Sequence, residues 1–87
     1  MEYMYDNFGN CVGYRIGNSF YNRHGTYLGE LLYGSYGSLI GILRDGNVYD
    51  TSGQKVGHFI YDNFGNCIGF RLGNALFNTN GQLVRYL

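Results

Sequence analysis

The chain has 87 residues, with six basic and six acidic side chains, 15 glycines, 10 tyrosines, two cysteines and neither proline nor tryptophan. That length holds one domain, spanning 1–87, with one modest core, and a formal charge of zero removes long-range steering toward nucleic acid or an anionic membrane. No apolar run nears the ~18 residues of a transmembrane helix, and MEYMYDNFG is no signal peptide, so the expected compartment is the cytoplasm.

Glycine recurs too often for a helix of ordinary length, so the expectation is an all-β chain. The first element is YDNFGNCVGYRIGN at 5–18, which returns as YDNFGNCIGFRLGN at 61–74, an offset of 56. Half that offset lands on Tyr33, where YGSYGSLIGIL follows the same frame, giving three tandem 28-residue units: 5–32, 33–60 and 61–87. Each unit divides again, so that an aromatic residue precedes a D-x-x-G-like tetrapeptide six times, at Tyr5, Tyr21, Tyr33, Tyr49, Tyr61 and Phe77. Three residues after each turn glycine comes an aliphatic residue (Val12, Leu28, Ile40, Val56, Ile68, Val84), and a second glycine follows it in every copy but the last, which has Arg85.

Asp or Asn at the first turn position can hold the backbone two residues on, and glycine at the fourth supplies a positive φ. Together they predict a type I turn closed by a glycine bulge. The expected register sets Asp6 opposite Asn10, Tyr5 opposite Cys11 and Met4 opposite Val12. Further along it sets Phe20 opposite Leu28, Leu32 opposite Ile40, Val48 opposite Val56, Ile60 opposite Ile68 and Leu76 opposite Val84, one continuous aliphatic ladder. Additional turns are expected as three-residue loops at 16–18, 44–46 and 72–74, which pair Tyr14 with Phe20, Ile42 with Val48 and Phe70 with Leu76. Residues 26–33 and 54–61 read as longer strands joining two hairpins. The expected architecture is an antiparallel meander of roughly ten strands, closed into a small barrel or rosette to remove its free edges.

The chemistry of the residues points away from an enzyme. Asp6, Asp45, Asp50 and Asp62 fall in turns, leaving only Glu2 and Glu30 for acid–base work. No metal-ligand spacing, phosphate loop or cofactor motif is present, so neither metal nor cofactor is expected. Cys11 and Cys67 hold equivalent places, where the second unit has Leu39, and read as small hydrophobes.

Two groups of residues are candidate sites. Glu30, His58 and Tyr86 share one repeat position, two residues after Leu28, Val56 and Val84. Strand alternation sends them inward, where near a symmetry axis they could form a small-ligand or pH-sensitive cluster; the plainer alternative is that the sheet bends and each meets solvent. Tyr5, Tyr21, Tyr33, Tyr49, Tyr61 and Phe77 are expected on the face opposite the aliphatic ladder. They would serve there as a second packing layer, a subunit interface or a stacking platform for a glycan. Nucleic-acid stacking lacks its accompanying positive groove.

The frame aromatic–Asp–x–x–Gly–x–x–aliphatic–Gly, as in YDNFGNCVG and YDNFGNCIG, resembles the four-fold β-flower family of small bacterial proteins, from Tyr5 to nearly the end of the chain. The resemblance implies hairpins radiating around an axis and no established biochemical role. The six hairpins at alternating 16- and 12-residue spacing depart from a fourfold frame. The frame is also similar to choline- or glucan-binding cell-wall repeats, which are tryptophan-rich where this chain is not. The functional expectation is a non-enzymatic, self-associating structural or interaction module, with a carbohydrate-binding module on the tyrosine face as the alternative.

Overall fold

A computed structural model describes residues 1–34 and 36–87. Ten strands follow one another: β1 (Glu2–Tyr5), β2 (Cys11–Ile16), β3 (Ser19–Asn22), β4 (Tyr27–Tyr33), β5 (Leu39–Arg44), β6 (Asn47–Tyr49), β7 (Lys55–Tyr61), β8 (Cys67–Leu72), β9 (Ala75–Phe77) and β10 (Leu83–Tyr86). They form one antiparallel sheet in strict chain order, with no helix among the described residues, and so none long and apolar enough to cross a membrane. The sheet is not closed. β1 pairs only with β2 and β10 only with β9, so the barrel or rosette expected from sequence is not formed by the single chain.

The bulged turns form as their residues dictate. Asp6 N–H donates to the Asn10 carbonyl (2.9 Å) and Gly9 N–H to the Asp6 carbonyl (3.2 Å). The same pair of bonds recurs at Asn22, Gly34, Asp50, Asp62 and Asn78. In five of the six the leading side chain also accepts two backbone N–H groups, as Asp62 Oδ1 does from Phe64 (2.8 Å) and Asn66 (2.9 Å). Gly34 has no side chain to do so.

Beyond Tyr5↔Cys11, the register differs from expectation. Met4 pairs with Gly13, not Val12, and the ladder is shifted by one residue at every bulged turn. Val12, Leu28, Ile40, Val56, Ile68 and Val84 are therefore the bulged residues, and the second glycine, or Arg85 in the last copy, is the pairing one. The intervening turns are two-residue, closed by Ile16↔Ser19, Arg44↔Asn47 and Leu72↔Ala75, rather than three-residue. Asp45 and Gly46 both take positive φ (52° and 81°), the type I′ geometry whose twist matches the strands. Tyr14 consequently pairs with Tyr21, Ile42 with Tyr49 and Phe70 with Phe77.

The bulge has a steric cause. A Cβ on Gly13, Gly29, Gly57 or Gly69 would run into the next strand's backbone, the carbonyls of Tyr21, Leu43, Arg71 and Phe77, and at Gly13 and Gly29 also into the fully buried Phe20 and Ile42; at Gly41 the obstruction is the fully buried Val48 side chain. Had the aliphatic residue taken the paired position, as the one-residue-earlier register demands, the next strand could not approach. Arg85, the exception to the glycine pattern, lies on β10, an edge strand whose partner among the described residues is β9 alone.

A flat ten-stranded sheet would be about 45 Å wide and ~10 Å thick. The observed extents of 38, 23 and 21 Å show instead a sheet curled over on itself. It curls both ways. Leu31 and Leu32 are neighbours on β4 and so point to opposite faces. Leu31 joins Phe20 and Ile42 in one core; Leu32 joins Val48 and Phe70 in another. Most of the second core is the first moved along the chain by 28 residues: Phe20, Leu31 and Ile42 become Val48, Phe59 and Phe70, while the equivalents of Leu28 and Tyr33, Val56 and Tyr61, are exposed. The surrounding Met4, Val12, Leu39 and Tyr49 likewise become Leu32, Ile40, Cys67 and Phe77. The same interval appears in the backbone, where Leu31, Phe59 and Leu87 N–H donate to the carbonyls of Asn18, Gly46 and Asn74 (2.7–2.8 Å). The single aliphatic ladder expected from sequence is thus two cores on opposite faces, sharing the central strands.

If the following strand is what excludes a side chain, Gly41→Ala should cost about 3 kcal/mol, since buried Val48 cannot yield. Gly53→Ala, at positive φ but facing open space, should cost about 1 kcal/mol, and Arg85→Ala less than about 0.5 kcal/mol. Urea unfolding midpoints of the three variants check the order.

Candidate functional site

The expected polar trio does not converge. Leu43 pairs with both Glu30 and Val48, and Val48 with Gly57, which puts Glu30 on the face of Gly57. His58, the next residue, faces the other way, between Asn47 and Arg71 in the ladder. Tyr86 pairs with Ala75 at the far edge. All three are exposed, and Glu30 accepts a bond from Ser19 Oγ (2.9 Å).

Nor do the six frame aromatics share a face. Tyr33 and Tyr49 pack against the first core, where Arg15 and Arg44 lie over their rings at 5.8 and 4.7 Å. Arg15 also bonds the Tyr33 hydroxyl (3.2 Å) and pairs with Glu2 (3.1 Å). Phe77 packs against the second core, while Tyr5 and Tyr61 are exposed. Tyr21 stands apart, beside Phe20 in sequence and therefore on the opposite face from the first core. The shift of one residue at each bulge produces this scattering.

The structure assembles two surfaces that sequence reasoning missed. The first is an aromatic row. Tyr3 meets Tyr14 edge-on (ring centroids 6.2 Å apart), Tyr14 stacks on Tyr21 (5.3 Å, 10° between planes), and Tyr21 leans on Tyr27 (5.6 Å). Partial burial, with the Glu30 carboxylate nearby, pushes the Tyr27 phenol above its ordinary range. Tyr3, Tyr14 and Tyr21 occupy paired positions across β1, β2 and β3, a row that only the true register reveals. The second is an open groove of about 600 Å³ where three turns meet, lined by Asp6, Asn10, Cys11 and Val12, by Asn22, Arg23 and His24, and by Thr51 and Ser52. Its polar atoms are largely occupied in holding the turns. Among the described residues, no three His, Cys, Asp or Glu side chains come together as metal ligands would. Cys11 and Cys67 are free thiols, each directed at the carbonyl of the glycine two residues on (3.5 Å).

Aromatic rings also cap two turns at an interval of 56 residues: Phe8 and Phe64, each 89% exposed. The repeated YDNFGN carries a signal for them, an aromatic residue at the third position of the turn.

Comparison with protein-family models, with curated proteins and with solved structures finds no match.

The turn carboxylates carry a pH dependence. Backbone N–H groups of Asn10 and Asn66 hold Asp6 and Asp62 below their ordinary range, and the Ser52 hydroxyl does so for Asp50. A carboxylate lowered in the folded state stabilises fully above its unfolded pKa and loses that contribution as pH falls through the folded value. Stability should therefore decline below about pH 4. Replacing all three by Asn, the residue already leading the turns at Asn22 and Asn78, should keep the backbone bonds and flatten this decline. Urea midpoints measured from neutral to acid pH test the difference.

Proposed function

We propose that this chain is a non-enzymatic structural or interaction module that associates with copies of itself. The observation that carries this reading is the imbalance between covered and uncovered apolar surface. Among the described residues six hydrophobic side chains are buried while fifteen large ones are exposed, including Tyr3, Tyr5, Ile68, Val84 and Leu87. Scattered exposed apolar residues are ordinary, but contiguous ones mark interaction surfaces. Neutral charge offers no repulsion between copies. Association would also allow copies to be arranged in a ring about an axis, a closure that the single open sheet lacks. The resemblance to β-flower proteins fits such an arrangement of hairpins about an axis.

A second reading, glycan binding, draws support from the Tyr3–Tyr14–Tyr21–Tyr27 row, where ring faces are joined to hydroxyl donors. Sedimentation velocity from micromolar to millimolar protein should show a weight-average mass that rises with concentration; a monomer throughout would reject self-association. Titration calorimetry with simple sugars separates the second reading, which requires saturable heat that Tyr14→Ala abolishes.

A further inference from the structure

Each of the two cores has two sides. In the first, Met4, Val12 and Phe20 from β1–β3 are covered by Leu31, Leu39, Ile42 and Tyr49 from β4–β6. In the second, Leu32, Ile40 and Val48 are covered by Phe59, Cys67, Phe70 and Phe77. The 28-residue interval then marks two surfaces that have one side only.

Moving the inner set on by the same interval gives Ile60, Ile68 and Leu76, which lie beside Phe59, Cys67 and Phe77 in sequence and so face away from the second core. Of the matching covering positions Leu87 is the one in the described chain, and it does not close over them: Ile68, Val84 and Leu87 are 54%, 61% and 56% exposed. Moving the covering set back gives Tyr3, Cys11, Tyr14 and Tyr21, facing away from the first core. Tyr3 is 56% exposed. The internal geometry of this set repeats that of its buried counterpart: Phe59 and Phe70 meet edge-on at 5.0 Å, as Tyr3 and Tyr14 do at 6.2 Å.

We propose that these two half-cores are each other's partners in trans: the Ile60–Ile68–Leu76 face of one copy docks on the Tyr3–Tyr14–Tyr21 face of a second copy, completing a third core head to tail. This rests on the reading of the chain as a self-associating module and names its interface. The chemistry is that of the first core, where Met4, Val12 and Leu28 already pack with Tyr33 and Tyr49. The contact is face on face. Arg85 stands where the other five copies have glycine, so β10 cannot take a following strand at the close approach seen at Gly57 and Gly69. Because the two faces differ, the contact is heterologous and each docked copy exposes a fresh face. A ring or a filament results, according to whether the rotation closes.

The experiment uses two variants of the whole chain, at the exposed Ile68, Val84 and Tyr3 and at the half-buried Tyr14. Ile68→Asp/Val84→Asp disables one face and Tyr3→Asp/Tyr14→Asp the other. Each alone should remain monomeric by light scattering where the wild type assembles. Mixed, they should form a one-to-one dimer and stop there, since each retains one good face. Wild-type-like assembly by either variant overturns the head-to-tail interface while leaving self-association standing. Monomers in the mixture overturn it too and point to like-with-like contacts. A wild type that is monomeric at millimolar concentration overturns both readings. As a measurement independent of variant folding, NMR of the wild type should show Ile68, Val84, Tyr3 and Tyr14 signals shifting together with concentration while Phe8 and Phe64 stay still; the reverse pattern rejects the interface.

Discussion

The close approach of successive strands at the pairing glycines governs this molecule. A ten-stranded meander of three- to seven-residue strands has little apolar surface to bury if it stays flat. It gains a core by curling, and curling brings the next strand's side chains and carbonyls into the space a Cβ would occupy. Phe20, Ile42 and Val48 are fully buried because Gly13, Gly29 and Gly41 lie beneath them. The bulge is the device that brings a glycine, rather than the aliphatic residue before it, into the paired position at each of these places.

A consequence is that the sheet buries both faces. Each 28-residue step exchanges the face that is covered, so Leu31 and Leu32 serve different cores and the central strands are sandwiched between them. The substitutions between equivalent positions follow from local exposure. At the rim of the first core Arg15 and Arg44 lie over tyrosines, whereas their counterparts Leu43 and Leu72 pack against the second core as aliphatic side chains. The ends of the sheet inherit one-sided versions of the same core, tyrosine-rich at one end and aliphatic at the other. Tyrosine suits a surface that spends time in water, since its hydroxyl stays solvated while its ring remains available for packing.

What was legible in advance was local. The six turns were readable because each is settled by four or five consecutive residues, and Asp62 bonding Phe64 and Asn66 needs nothing from elsewhere in the chain. The candidate site was not legible, because membership of a face depends on register. The grouping of Tyr5, Tyr21, Tyr33, Tyr49, Tyr61 and Phe77 assumed an unbulged ladder, and the observed bulges distribute them among a core rim, a second core rim and solvent. The trio of Glu30, His58 and Tyr86 was equivalent in sequence yet scattered in space, since one repeat step changes the face.

The amino-acid sequence by itself determined the all-β character, the order of the strands and the interval at which their contacts recur. Glycine spacing forbids helix, and turn chemistry forces the chain to reverse at each tetrapeptide whatever surrounds it. Only the tertiary structure decided which residue of each aliphatic–glycine pair enters the ladder. Pairing Met4 with Val12 and pairing it with Gly13 are both compatible with the turn, and they differ in whether the next strand can come close enough to bury its own side chains, a condition no local stretch of sequence contains.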